Sequence, residues 1–105
     1  MMKRIAFKMF LLKGFEEEYK KRHAEIWPEL EDLLKESGVE DYSIFLDEET
    51  HILFGVLKCS NEIKYQNLPL QPIMQKWWEY NKDIMQTNED NSPKSISLEE
   101  VFYLK

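Results

Sequence analysis

Residues 41–58 read DYSIFLDEETHILFGVLK, two apolar runs on either side of the turn residues Glu48, Glu49 and Thr50. Each run has the length and the β-branched and aromatic content of a strand, and so short a polar spacer joins two such strands as an antiparallel hairpin. Apolar residues stand on both faces. Tyr42, Ile44 and Leu46 alternate with Phe45, while Ile52, Phe54 and Val56 alternate with Leu53 and Leu57. A sheet built on this hairpin has two faces to cover, because successive strand residues point to opposite sides.

Working outward, RIAFKMFLL (residues 4–12) predicts a first strand stopped by Gly14. From Phe15 the apolar period becomes helical: Phe15, Tyr19, His23, Ile26, Trp27, Leu30, Leu33 and Leu34 fall in one broad stripe. That helix is expected to end at Ser37–Gly38 and to break at Pro28, which has no N–H to donate and disfavours helical geometry at Trp27. Beyond the hairpin, a second helical region is expected from about Ser60 to Gln86, broken at Pro69 or Pro72. TNEDNSPKS (87–95) reads as a loop and ISLEEVFYLK (96–105) as a final strand.

The predicted order is βαββαβ. Right-handed crossovers place both helical regions on one face of an antiparallel sheet, which is the ferredoxin-like α+β arrangement, expected here as one domain over residues 1–105. Its other face would be bare and apolar, and a second copy of the chain is the simplest cover. The expected architecture is therefore a dimeric α+β barrel, a homodimer.

Composition removes several classes of function. A formal charge of -6 over 105 residues, with scattered Lys and Arg, offers no basic patch for a phosphate backbone, so nucleic acid is not expected as a partner. Cys59 stands alone, which rules out an intrachain disulfide or a multi-cysteine zinc site, suits a reducing compartment, and fits a small half-buried hydrophobe. The basic start MMKR is followed by an apolar run interrupted at Lys8 and by no small-residue cleavage pattern. No apolar stretch approaches the roughly 20 residues that span a bilayer. A cytoplasmic protein without membrane attachment is expected. The three glycines form no phosphate loop, no histidine spacing predicts a metal, and no Ser or Cys carries a nucleophile signature.

Few residues remain to carry chemistry. Tyr19 and His23 lie four apart, on one helix face, and can address the same small ligand. An imidazole titrates near neutrality and suits general acid–base work, although a histidine at the edge of an apolar stripe also serves as a packing residue. His51, in the hairpin turn, is the weaker candidate. Tyr42 opens the second strand and points either into a cavity or into an interface. Trp77 and Trp78 are adjacent on a helix, about 100° apart, so one packed face cannot easily hold both. Either both indoles pack, or one is left as a flat apolar platform with an N–H donor, a shape suited to the C–H face of a sugar.

Taken together, EEYKKRHAEIWPELEDLLKESG (17–38), DYSIFLD (41–47), WWEYNKDIM (77–85), NEDNSP (88–93) and LEEVFYL (98–104) resemble the L-rhamnose mutarotase family, in order and spacing over nearly the whole chain. The resemblance implies a dimeric α+β barrel that interconverts the α and β anomers of L-rhamnose. It implies His23 as the proton donor, Tyr19 and Tyr42 as sugar-binding tyrosines, and Trp77 and Trp78 as the tryptophan pair at the sugar. Opening and reclosing a hemiacetal oxidises nothing and transfers no group, so no cofactor is expected. On this view His23 is the acid for ring opening and the base for closure; the acceptor of the anomeric proton is left open among a tyrosine, a carboxylate and water. Asn81, Glu89 and the KCS at 58–60 depart from the family pattern, which bears on loop rigidity and sugar preference. The alternatives are a cofactor-independent oxygenase of the same fold and a non-catalytic sugar-binding protein.

Overall fold

The most apolar runs form the centre of the sheet. In the computed structural model, which describes residues 2–105, β1 (Lys3–Phe10) and β3 (Ile52–Cys59) pair antiparallel along their whole length, from Lys3↔Cys59 to Phe10↔Ile52. The strand β2 (Val39–Asp47) returns along β3 through the hairpin, and β4 (Ser95–Ser97) joins the free edge of β1. The order β2-β3-β1-β4 is the ferredoxin-like one.

Helices cover one face only. The first, α1 (Glu16–Ala24), has Glu16, Glu17 and Glu18 in its first turn and Lys21 and Arg22 in its last, a distribution that complements the helix dipole. Pro28 then ends the run and opens α2 (Pro28–Glu36) from its first turn, where a missing N–H costs nothing. Gly38, at φ +82°, turns the chain into β2, and a Cβ there would lie 2.7 Å from Ser60 Oγ and 2.8 Å from the Asn61 nitrogen. The second helical region resolves into α3 (Glu62–Gln66), a 3₁₀ turn (Leu68–Leu70) and α4 (Pro72–Asn81), broken at both prolines. It stops short of Gln86, because Gln86 donates instead to the Phe10 carbonyl and Met85 bridges to Leu11. Beneath the helices lie two apolar clusters, one around Leu53, Ile84 and Met9, the other around Leu57, Cys59 and Leu68.

The final strand is much shorter than expected. Pairing ends at Ser97, with one further bond from Leu98 N–H to the Ala6 carbonyl, and residues 99–105 have no regular structure. At this edge Arg4 replaces the ladder with side-chain contacts: it forks onto Glu100 at 3.0 and 3.2 Å and lies 3.3 Å above the centre of the Tyr103 ring. Apolar side chains are left outside, with Val101 89 %, Phe102 76 % and Leu104 80 % exposed. The helix-free face of the sheet is uncovered to a smaller degree, at Phe45 (61 %), Ile96 (50 %) and Val56 (39 %). No helix among the described residues is long and apolar enough to cross a membrane.

Leu53 is 1 % exposed, opposite Met9 near the hairpin end of the central strand pair. Leu53→Ala is expected to destabilise the fold by about 2–5 kcal/mol through lost burial and a residual cavity, read as a lower urea midpoint at unchanged slope. Gly38→Ala, which adds strain at positive φ to a steric clash, is expected to lower the midpoint as well.

Candidate active site

Helix α1 reaches the site because of Arg22. Its guanidinium forks onto Asp83 at 2.9 and 3.2 Å, donates to the Tyr80 carbonyl at 2.9 Å and to Glu18 at 2.7 Å, and lies 4.5 Å from the Tyr80 ring centre. These bonds fasten α1 to the end of α4. Asn81, buried in the last turn of α4, donates to the Trp77 carbonyl at 3.0 Å and so holds the turn that carries the two tryptophans.

Between the helices and the sheet lies a cleft of about 1060 Å³, and Tyr19, His23, Tyr42, Trp77 and Trp78 all line it. His23 is half-buried, stacked on Tyr19 (centroids 4.1 Å, 27°) and edge-on to Trp77 (5.3 Å, 79°). Its Nδ1 is 3.1 Å from the Tyr19 carbonyl oxygen. A carbonyl only accepts, so Nδ1 carries the hydrogen and Nε2 keeps a lone pair. Burial lowers the His23 pKa and the bond to the Tyr19 carbonyl only partly opposes this, which leaves the ring neutral at pH 7.

The two tyrosines behave oppositely to the histidine. Burial pushes the Tyr19 phenol up, with a smaller contribution from Tyr42, and pushes Tyr42 up in the same way, with a smaller contribution from Tyr65. Both stay protonated and act as donors. Tyr42 keeps 38 % of its surface open, yet its hydroxyl end lies enclosed in the cleft.

A β-bulge aims Tyr42. Val39 and Ile44 both belong to the helix-side packing although they are an odd number of residues apart, and the register of β2 on β3 shifts between Glu40 and Ser43. The extra residue is absorbed at Asp41, at φ +50°, a left-handed conformation that aspartate tolerates better than most side chains. Asp41 is also paired with Lys58 of β3 at 3.3 Å. Tyr42 thereby joins Ile44 and Leu46 on the cleft side, edge-on to Phe7 at 6.3 Å.

The tryptophans divide. Trp77 is 8 % exposed and meets Trp27 at 5.0 Å and Tyr80 at 5.8 Å, whereas Trp78 is half-buried and lines the cleft with no aromatic partner. His51 stands apart from the cleft, its Nε2 3.0 Å from a Glu16 carboxylate oxygen. Sequence reasoning missed Trp27 as part of the aromatic cluster, and it missed the polar wall of the cleft formed by Asn88, Asp90, Asn91 and Ser92. The signal for that wall was present as a run of turn-formers. Asp90 accepts from the Ser92 amide at 3.0 Å and from its hydroxyl, and Asn91 takes φ +70°. No group of three or more His, Cys, Asp or Glu capable of holding a metal occurs among the described residues.

A neutral imidazole with a free nitrogen, two protonated phenols and an indole wall can bind a neutral polyhydroxylated ligand and move protons on it. The comparisons with known proteins agree. The L-rhamnose mutarotase family model matches residues 4–104. An L-rhamnose mutarotase from Flavobacterium johnsoniae is 60 % identical over 96 % of this chain and 94 % of that protein. The crystal structure of an L-rhamnose mutarotase from Formosa agariphila superposes with a TM-score of 0.92 at 53 % identity, covering 98 % of this chain and 99 % of that one. A putative antibiotic biosynthesis monooxygenase from Bacteroides thetaiotaomicron superposes at 0.62 with 16 % identity, over 96 % of this chain and 90 % of that one, and shares the fold alone. Similarity that runs from the first strand to the last residues, and that includes every segment lining the cleft, is of one kind: this chain belongs to the L-rhamnose mutarotase family.

Proposed function

We propose that this protein is an isomerase that interconverts the α and β anomers of L-rhamnose by opening and reclosing the hemiacetal ring. The observation that carries the reading is the placement of His23 in the cleft, between the Tyr19 ring and the Trp77 edge, with a ring nitrogen free. His23 transfers protons, Tyr19 and Tyr42 hold sugar hydroxyls, and Trp77 and Trp78 present apolar indole surface to the C–H face of the ring. The reaction is redox-neutral and needs no cofactor: a positioned acid or base supplies about 10²–10⁴-fold over water. An oxygenase reading has only the shared fold behind it, and a purely sugar-binding protein would bind rhamnose without exchanging its anomers.

The same reading includes a homodimer in the cytoplasm. The exposed Phe45, Val56 and Ile96 on the helix-free face, together with the exposed tail at Val101, Phe102 and Leu104, give a second copy an apolar surface to cover. The lone cysteine, buried and unpaired, suits a reducing compartment.

Three outcomes are expected. Saturation-transfer NMR on equilibrated rhamnose should show enzyme-dependent α/β exchange, and His23→Asn should lose about 10²–10⁴-fold of it while keeping most sugar affinity; an undiminished rate in the variant would remove His23 from the mechanism. Trp78→Phe should weaken sugar binding, followed by tryptophan fluorescence, with little change in thermal midpoint, whereas Trp77→Phe should lower the midpoint more. Light scattering should give twice the chain mass at micromolar concentration, and Phe45→Glu should shift it toward the monomer; a folded wild-type monomer would sink the dimer.

A further inference from the structure

Gly55 interrupts a strand of otherwise bulky residues. It is buried in the middle of β3, between Phe7 of β1 on one side and Ile44 of β2 on the other. A glycine inside a strand weakens it, because it has no side chain to pack and gives up more chain freedom on folding. The backbone does not require it here: Gly14 and Gly38 have positive φ, and Gly55 does not. What it provides is room. A Cβ at this position would stand 2.6 Å from Cζ and 2.7 Å from Cε2 of Phe7, well inside the roughly 3.5–4.0 Å at which two carbon atoms attract best. The far end of the Phe7 ring occupies the place that a side chain on Gly55 would take.

We propose, resting on the mutarotase reading, that Gly55 and Phe7 are a positioning pair for the sugar site: the missing Cβ seats the Phe7 ring over β3, where it supports Tyr42 and stays clear of the space the sugar takes.

The neighbours of Phe7 give that seat its consequence. Phe7 lines the cleft and meets Tyr42 edge-on at 6.3 Å, which is the one ring contact of Tyr42 among the described residues. Tyr42 is thus backed by a ring that itself rests on bare backbone. On its other side Phe7 pairs with Ser97 of β4, a small residue that also lines the cleft. The row across the sheet runs Ile44, Gly55, Phe7, Ser97, so the ring has a seat toward β2 and none toward β4. Side chains occupy discrete staggered wells. A ring forced off Gly55 therefore moves by a whole rotamer, away from Tyr42 and up into the cleft over Ser97.

The same geometry says that the fold survives the change. The atoms an added Cβ would strike are the free end of a side chain, whereas at Gly38 they include the Asn61 backbone nitrogen. Gly55→Ala can be accommodated by turning the ring with β1, β2 and β3 still paired. A purely stabilising role is the competing account, since an aromatic ring laid over a strand glycine offsets the weakness of that glycine. It predicts a lower unfolding midpoint and an unchanged affinity for the sugar.

The test starts on the wild-type protein. Protons under the face of an aromatic ring resonate upfield, so the Gly55 α-protons are expected upfield of the ordinary glycine position, with and without saturating rhamnose, and at the ordinary position in Phe7→Leu. Wild-type α-protons at the ordinary position, or moving there when rhamnose binds, overturn the proposal. Gly55→Ala is expected to weaken rhamnose binding about tenfold or more, with less than about a threefold change in exchange at saturating sugar, as for lost ground-state binding. In the Phe7→Leu background no ring is left to displace, and Gly55→Ala should then change affinity by less than about twofold. Equal losses in the two backgrounds, or wild-type affinity in Gly55→Ala, overturn the pair. Phe7→Leu alone takes the support from Tyr42 and should weaken binding by about threefold or more; wild-type affinity there overturns the positioning role even if Gly55→Ala fails to fold. Each of these failures leaves wild-type exchange intact, whereas a wild-type protein that exchanges no anomers defeats the mutarotase reading and the proposal with it.

Discussion

The site exists because one guanidinium joins two distant parts of the chain. Tyr19 and His23 come from α1, Trp77 and Trp78 from α4, and the sheet alone does not set the distance between those helices. Arg22, one residue before His23, is bonded to Asp83 and the Tyr80 carbonyl, while Trp27 from the far side of the helix break packs on Trp77 and Tyr80. A bidentate Arg–carboxylate fork constrains orientation as well as distance. The imidazole and the indole edge are thus held against each other before any ligand arrives, and preorganisation of that kind reduces what binding must supply.

Electrically the cleft is close to neutral at its working surface. The imidazole is uncharged and the phenols are protonated by burial, so neither presents a charge to a ligand. A free monosaccharide has no charge for a salt bridge to grip. Its recognition falls to hydroxyl donors and acceptors and to flat apolar surface, and those are the groups present. The polar wall at Asn88, Asn91 and Ser92 serves the same end, with its backbone held by an Asp90 turn.

Much of this was legible in the residues. The sequence of elements and the Pro28 break followed from period and punctuation, which are local properties of the chain, and the one-sided placement of the helices followed from the handedness of the crossovers. The five residues around the cleft were found partly by spacing, as with Tyr19 and His23, and partly by family resemblance, as with Tyr42. Sequence could not give the bulge, since nothing in VEDYSIF announces which residue will leave the ladder, and so it could not say toward which face Tyr42 points. It also overran the last strand. The alternation in VFYLK is strand-like, but a strand needs a neighbour, and past Ala6 the edge of β1 offers Arg4 and its side-chain contacts instead. Tautomers are invisible in sequence as well: only the position of the Tyr19 carbonyl decides which nitrogen of His23 carries the proton.

The sheet order also bears on how the molecule comes into being. The hairpin of β2 and β3 closes over a tight turn, so its contacts can form early and at small entropic cost. The pairing of β1 with β3 is different: α1, α2 and β2 all intervene, and the edge strand β4 must then find β1 from the opposite end of the chain. Long-range antiparallel pairings slow folding, because chain entropy is lost before the contacts that offset it are made. Helix α1 leads out of β1 and α4 lies between β3 and β4, so the helices that carry His23 and Trp77 come to rest only when these late pairings do. A partly folded chain holding a complete hairpin would present Phe45, Phe54 and Val56 to solvent and have no cleft at all, which makes catalytic competence a late marker of the native state.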